Sequence, residues 1–262
     1  MAILGVDVYH EEHPNWARFW ARDNRDAGWT FAILKAGDGT SKHSWFVDNF
    51  NRARDAAGGR YGKSAFLGVY WFPRFGPGAP GSDAQLHPYL EQLDSVGYGK
   101  HGGELYPAQD IESPDGSSNA LASGAQIAAT TRPIFEALRA RYGHAMLYGR
   151  SFYERVSHAD NLGADIAWNP SATSREHEMP TPAWPRERCL LWQYAGPPYP
   201  NLTTFPTNPI GWQPCDVDVY KGRTASEMRS MRAFRRDLVI GGDSSGKLVL
   251  GAAAALLVLS HL

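Results

Sequence analysis

Eight short apolar runs punctuate this chain, and polar or aromatic residues gather at the end of nearly every one. The runs are Ala2–Val8, Phe31–Ala36, Ala65–Phe72, the run closing in Asp110-Ile111-Glu112, Ala145–Tyr148, Ala164–Trp168, Cys189–Tyr194 and Asp216–Tyr220. Short runs bounded by Gly and Pro have the length of strands in a buried parallel sheet. Helical patterns separate the first five. One spans Trp16 to Ala27 and is stopped by Gly28, and another spans Trp45 to Ala57 and is closed by Gly58-Gly59. A third runs from about Asp83 to Val96 after a Gly/Pro-rich loop. The fourth, Ser123 to Tyr142, places Ile127, Ile134, Phe135 and Leu138 at helical spacing. After the fifth strand, Pro-rich stretches (170–187 and 196–214) replace helices.

This order predicts an α/β fold, a TIM-like (β/α) barrel with a degenerate last third, of (β/α)5(β)3 type. A chain of 262 residues is long enough for one such domain. A doubly wound open sheet would call for a glycine-rich phosphate loop. Gly37-Asp38-Gly39 has neither the length nor the third glycine.

In a parallel barrel the strand ends converge on one mouth. Read in order, they bring Asp7 and Tyr9, Lys35, Tyr70 and Phe72, Asp110 and Glu112, Tyr148, Trp168, Gln193 with Tyr194, and Asp216 with Asp218. Carboxylates are costly to bury unless paired or neutralised, so this recurrence points to a polar, shaped pocket. Asp110 and Glu112 stand two residues apart, which in a strand puts both on one face with Cα atoms roughly 6.5 Å apart. Like charges that close resist joint ionisation, leaving one group as a proton donor beside an ionised partner. An Asp-x-Glu alone occurs by chance in many loops. The convergence of strand ends is what carries the reading of an active site.

Composition narrows the chemistry. Lys plus Arg (26) nearly cancel Asp plus Glu (27), and no local basic patch stands out, so nucleic acid is not an expected partner. His10-Glu11-Glu12-His13 is not the zinc-protease pattern and the other histidines are scattered, so neither metal nor cofactor is expected. Cys189 and Cys215 make no disulfide scaffold and fit no zinc spacing. Each begins a late strand, so a bridge between neighbouring strands is open to them. Aromatic residues, nine Trp among them, cluster at strand ends beside polar groups, where a sugar ring can stack; ordinary core packing claims many of them.

Taken together, Ala2 to Gly222 resembles glycoside hydrolase family 25, the Chalaropsis-type lysozymes. Gly5-Val6-Asp7-Val8-Tyr9 is similar to the family's opening Gly-(Ile/Val)-Asp strand, and Phe31–Thr40 to its strand ending Lys-Ala-Thr-Glu-Gly-Thr. Tyr70-Trp71-Phe72 stands where members carry Tyr-His-Phe, and Asp110-Ile111-Glu112 matches the family Asp-x-Glu. Leu147-Tyr148-Gly149-Arg150 resembles Ile-Tyr-Thr-Asn, Trp192-Gln193-Tyr194 the family Trp-Gln-Tyr, and Asp216–Gly222 the closing Asp-x-Asn-x-Phe-x-Gly. The departures are Gly37-Asp38 for Thr-Glu, Trp71 for His, which bears on the shape of one subsite, and Asp218 for Asn.

The resemblance implies a muramidase that hydrolyses the β-1,4 bond between N-acetylmuramic acid and N-acetylglucosamine in bacterial peptidoglycan. It implies Glu112 as general acid, Asp110 orienting the substrate's acetamido group, and Asp7 and Asp216 flanking the pair. Substrate-binding positions are expected at Tyr9, Tyr70, Phe72, Tyr148, Trp168, Gln193, Tyr194 and Asp218, with Lys35 pairing a carboxylate. A catalytically inactive, lectin-like barrel and a chitinase-like glycosidase are the alternatives. The first has no need of an acid pair, and the second lacks its longer Asp-rich signature near residues 104–112.

The expected organisation is a catalytic barrel over 1–225, a basic amphipathic helix over 226–240, a Gly/Ser linker over 241–247 and an apolar tail over 248–262. Met228, Met231, Phe234 and Leu238 share one helical face, with Arg229, Arg232, Arg235 and Arg236 adding charge. The uncharged run Leu248–Leu259 is shorter than the ~20 residues of a membrane span. Arginines precede it, which suits a membrane tail or interfacial anchor. The N-terminus enters a strand directly, with no secretory signal pattern. A phage endolysin, monomeric and cytoplasmic until release onto the cell wall, is the expected biology; a bacterial lytic enzyme secreted by another route is the rival.

Overall fold

Side chains alternate across every strand of this chain, and that alternation builds two separate cores. A computed structural model describes residues 3–9, 14–26, 28–112, 117–149, 162–170, 188–195, 216–220, 224–235, 241–242 and 248–249. The strands are β1 (Ile3–Val8), β2 (Trp29–Asp38), the two-residue return β3 (Ser41–Lys42), β4 (Phe66–Phe72), β5 (Ala108–Asp110), β6 (Met146–Tyr148), β7 (Ile166–Pro170), β8 (Cys189–Ala195) and β9 (Asp216–Tyr220). They join in the order β1-β9-β8-β7-β6-β5-β4-β2-β3, and a β1–β2 pairing closes an eight-stranded TIM-like barrel. Every neighbouring pair in the closed ring is parallel except the two made by β9, which runs antiparallel to both β1 and β8. The amino end of β9, not the carboxyl end expected from the sequence, therefore lies beside the carboxyl ends of β1 and β8.

Along β1, Leu4, Val6 and Val8 face outward to the helices, while Ile3 joins the inner core. On β2, Phe31 and Ile33 point in and Ala32, Leu34 and Ala36 point out; on β4, Phe66 and Tyr70 point in against Leu67, Val69 and Trp71. The inner core, with Met146, Ile166, Leu191 and Tyr220, is apolar near the base and turns polar toward the mouth. Gly5 is required there, because a Cβ on it would lie 2.2 Å from the Phe31 ring.

Helices α3 (Phe46–Ala57), α4 (Ser82–Ser95) and α5 (Gly124–Tyr142) cover the outside. Ser123 and Gln126 form a reciprocal capping box on α5, a device worth about 1 kcal/mol, and Gly143 at φ 87° ends it. Buried polar groups of α4 tie the sheet to its loops. Gln92 Nε2 donates to Ala36 O (3.0 Å) and His43 O (2.9 Å), and Tyr89 Oη to Ala108 O (2.9 Å).

Two helices differ from expectation. The stretch 16–27 divides into α1 (Trp16–Phe19) and α2 (Arg22–Asp26). Side chains capture the carbonyls at the break: Asn24 donates to Arg18 O (2.7 Å) and Arg60 to Trp20 O (2.6 Å). In the described part (to residue 235) of the closing helix expected over 226–240, the chain makes a single α-turn, α6 (Ala225–Met228), and a 3-10 turn, Arg229–Met231. Its chain then leaves the helical path to bond the barrel base, with Tyr106 N donating to Met231 O (2.9 Å), Ala233 N to Glu104 O (2.8 Å) and Arg235 N to Gly99 O (3.2 Å). Met228 and Met231 plug the inner core, leaving Phe234 exposed. Leu238 and Arg236 lie outside the described residues. Of 241–262, Gly241–Gly242 and Leu248–Val249 pair as a short antiparallel ladder. Among the described residues no helix is long and apolar enough to cross a membrane.

Candidate active site

The inward-facing residues at the mouth enclose a cavity of about 230 Å³ lined by Asp7, Tyr9, Lys35, Tyr70, Phe72, Asp110, Glu112, Tyr148, Trp168 and Gln193. Nine of these ten are positions expected from sequence; Lys35 was expected only as a carboxylate partner. The Asp110/Glu112 pair arises as strand alternation requires. Ile111 is buried in the outer core, so its two neighbours turn into the cavity. Ile111 N donates to Tyr148 O (2.9 Å), extending the β5–β6 ladder by one residue. Gly149, at φ 134°, permits that close approach, since a Cβ there would meet Ile111 O at 2.4 Å. Buried Asn119 fixes the backbone beyond the strand. Its Nδ2 donates to Glu112 O and Pro73 O (both 3.1 Å), and its Oδ1 accepts from Phe75 N (3.0 Å).

The acids sit in mutual view. Burial pushes the Asp110 carboxyl well above the usual range, Glu112 adds to the rise, and the Lys35 ammonium opposes it. Burial also raises Glu112, against the hydrogen bond from Tyr148 and the charge of Lys35. Asp7 is pushed well up by burial and by the charge of Asp218, against the bond from Gln193. Asp110 Oδ1 is buried with no hydrogen-bond partner among the described residues. Carboxyls crowded in this way hold their protons more tightly than exposed ones.

Asp218 is completely buried and lies beneath the cavity, not on its wall. Its Oδ1 accepts from Trp168 Nε1 at 2.7 Å, and its carboxyl is close enough to Asp7 to raise it. Gln193 lines the cavity, yet both ends of its amide are engaged, Nε2 with Asp7 Oδ2 (2.8 Å) and Oε1 with Tyr148 Oη (2.6 Å). Asp216 pairs with Asp7 in the β1–β9 ladder and Tyr194 belongs to β8; the side chains of both lie outside the described set. Cys189 is buried at the start of β8, and Cys215 is outside the described residues.

Trp71 does not shape a subsite. It is fully buried on the outer face, stacked on Tyr89 at 5.2 Å, with Nε1 donating to Gly39 O (3.1 Å). Sequence reasoning placed Lys35 beside a carboxylate but missed which one, and missed the second cation of the rim. Lys35 Nζ lies 3.6 Å from Asp38 Oδ2, and Arg74 Nη2 donates to the same oxygen at 2.7 Å. The two cations flank Phe72 at 5.0 and 4.9 Å from its ring centre. Asp38 was visible only as a turn residue, and nothing near Arg74 marked it. Among the described residues no group of three or more His, Cys, Asp or Glu side chains is placed to hold a metal ion.

No protein-family model and no curated protein matches the chain. Solved structures do. A family 25 glycosyl hydrolase from Bacillus anthracis superposes with TM-score 0.65 at 17% identity, covering 88% of this chain and 93% of its own. A muramidase from Acremonium alcalophilum gives 0.61 at 20% identity, over 87% and 98%. The catalytic domain of an endolysin from a Listeria monocytogenes bacteriophage gives 0.60 at 16%, over 88% and 97%. Likeness at such identities establishes a shared barrel fold.

Proposed function

We propose that this chain is a glycoside hydrolase of the muramidase type, cleaving the β-1,4 bond between N-acetylmuramic acid and N-acetylglucosamine in bacterial peptidoglycan. The observation that carries the reading is the Asp110/Glu112 pair: two carboxyls on one strand face, both raised by burial, opening into an aromatic-walled cavity at the barrel mouth. Barrels of like fold that are described as muramidases and as an endolysin catalytic domain support it.

Glu112, held protonated by burial, donates its proton to the glycosidic oxygen as the C1–O bond breaks. Two carboxyls on one face cannot stand on opposite sides of a sugar ring, so the attack on C1 falls to the substrate's own acetamido oxygen. That attack develops positive charge on the acetamido group. Asp110 is placed to accept its N–H, and the buried, unpartnered Oδ1 is an acceptor of that kind. Water activated by the Glu112 carboxylate then attacks C1, returning the acetamido group and the original anomeric configuration. Tyr9, Tyr70, Phe72 and Trp168 supply apolar walls for sugar faces. Asp216, paired with Asp7 in the β1–β9 ladder, is the second acid assigned to flank the site.

Digestion of purified peptidoglycan by the barrel, with identification of the new reducing-end sugar and its first-formed anomer, tests this. Muramic acid ends of retained configuration are expected. Glucosamine ends, or cleavage of chitin alone, would favour a different glycosidase, and binding without cleavage a lectin. The biological setting we infer is a phage or bacterial lytic enzyme acting on the cell wall as a monomer, with residues 248–262 contacting membrane. Failure of the full chain to float with lipid vesicles would remove that contact.

A further inference from the structure

The charge around the cavity changes sign between β1 and β5. Asp7 stands on β1 and Asp110 on β5, with Glu112 just beyond it. The strands between them, β2 and β4, carry Lys35, Asp38 and, two residues past Phe72, Arg74. Two cations against one acid leave this sector with positive charge in excess.

Lys35 is the member of this group that reaches the cavity. Its tether is loose because Arg74 has already taken Asp38. Arg74 donates through Nε to Oδ1 and through Nη2 to Oδ2 (2.7 Å), so both oxygens of Asp38 are engaged. Lys35 Nζ stands 3.6 Å from Oδ2, an ion pair and not a hydrogen bond. Its other contact is the face of the Phe72 ring, 5.0 Å from the centre. Among the described residues this ammonium makes no other ion pair, and none of its three N–H donors meets an acceptor at hydrogen-bond distance. The side chain is 16% exposed, with its head toward the cavity. A cation held by charge on one side, with its donors unspent on a cavity wall, is arranged to take an acceptor from a bound molecule.

The acids of β1 and β5 repel an anion, so a negatively charged group of the substrate has this one sector to enter. A neutral N-acetylglucosamine has no such group. Muramic acid carries a lactyl ether ending in a carboxyl, which is free in a bare glycan strand. In a peptide-bearing strand that carboxyl is an amide, and the stem peptide brings carboxylates of its own. We propose that Lys35 is a specificity-determining residue whose ammonium takes a carboxylate on the lactyl side of the muramic acid ring. This rests on the muramidase reading.

The test compares kcat/KM of the full chain on three glycan strands with the same β-1,4 bond: peptide-free with the lactyl carboxylate, peptide-free with that carboxyl converted to its methyl amide, and peptide-bearing. Recognition of the lactyl carboxylate gives the first strand at least about a tenfold advantage over the amide, the size of one charge-assisted hydrogen bond. Recognition of a stem-peptide carboxylate gives that advantage to the third strand instead. In either case Lys35→Met should erase the advantage and Lys35→Arg keep it, and added salt should shrink it in the wild type. A merely structural Lys35 would lower all three rates together. Equal kcat/KM on the three strands in the wild type overturns the proposal, and that comparison needs no variant to fold. An advantage that survives in Lys35→Met overturns it as well. If Lys35→Met turns over too slowly to assay, the Kd values of the three strands in that variant give the same ratio. Cleavage of none of the strands by the wild type removes the muramidase reading and this inference with it, whereas equal cleavage of all three removes only the recognition by Lys35.

Discussion

The two ends of the barrel are built from the same strands yet treat a buried acid in opposite ways. At the base, Glu104 is fully buried and burial raises its carboxyl, but a backbone N–H of Gly103 (3.2 Å), Tyr61 and the charge of His101 ease it. The segment 229–235 then closes over it, with Met228 and Met231 filling the barrel behind. Around the cavity, Asp7, Asp110 and Glu112, with Asp218 beneath them, have one another as neighbours and Lys35 as a cation within reach. One end spends its burial on stability and the other on reactivity. A buried acid in this barrel thus has no fixed meaning; its partners decide it.

That contrast breaks most sharply at Asp110. Asp110→Asn should cost about 10²–10³-fold in kcat on peptidoglycan while holding or raising Tm at neutral pH, since a carboxyl disfavoured by its surroundings is removed. Met231→Ala should do the reverse, losing about 2–4 kcal/mol in denaturant unfolding with kcat unchanged. Equal losses of activity in both variants would mean that the two ends are not separable. Gly5→Ala, which drives a methyl group into the Phe31 ring between the two regions, should cost about 1–3 kcal/mol.

The pH dependence sharpens the same point. Asp7, Asp110, Glu112 and Glu104 all have folded values raised above their ordinary ones. Such groups bind protons more tightly folded than unfolded. Their stabilisation is full below the ordinary carboxylate range and is lost as pH rises through the raised values. Unfolding free energy should therefore decline from mildly acidic toward neutral pH, and less steeply in Asp110→Asn. The smallest effect is expected at Phe234→Ala. That ring is 58% exposed on the basal strap, and its removal should change stability by no more than about 0.5 kcal/mol.

Much of this was legible in the chain because strand period is local. Alternation alone puts Asp110 and Glu112 together with Ile111 behind them, and the same rule applied to Tyr70-Trp71-Phe72 places Trp71 outside, where it lies. What sequence did not carry depends on partners far away in the chain. The reversal of β9 follows from its pairing with β1 and β8, and it brings Asp218 under Asp7, 211 positions earlier in the sequence. Arg74 reaches Asp38 across 36 positions, and no local pattern announces it. The closing helix read well as an amphipathic pattern. Its methionines serve the barrel instead, because the backbone at 229–235 gains bonds to residues 99–106 that a helix would forgo.

The most direct measurement is the release of reducing ends from purified peptidoglycan by wild type and by Glu112→Gln, with equal folding verified by thermal unfolding. Glutamine keeps the shape of the side chain and removes the proton it would donate. Muramic acid ends from the wild type, and at least about a 10³-fold slower release from the variant, are expected of a general acid at this position. Equal rates from the two proteins would place the proton donor elsewhere and contradict the reading of the Asp110/Glu112 pair as the reacting centre.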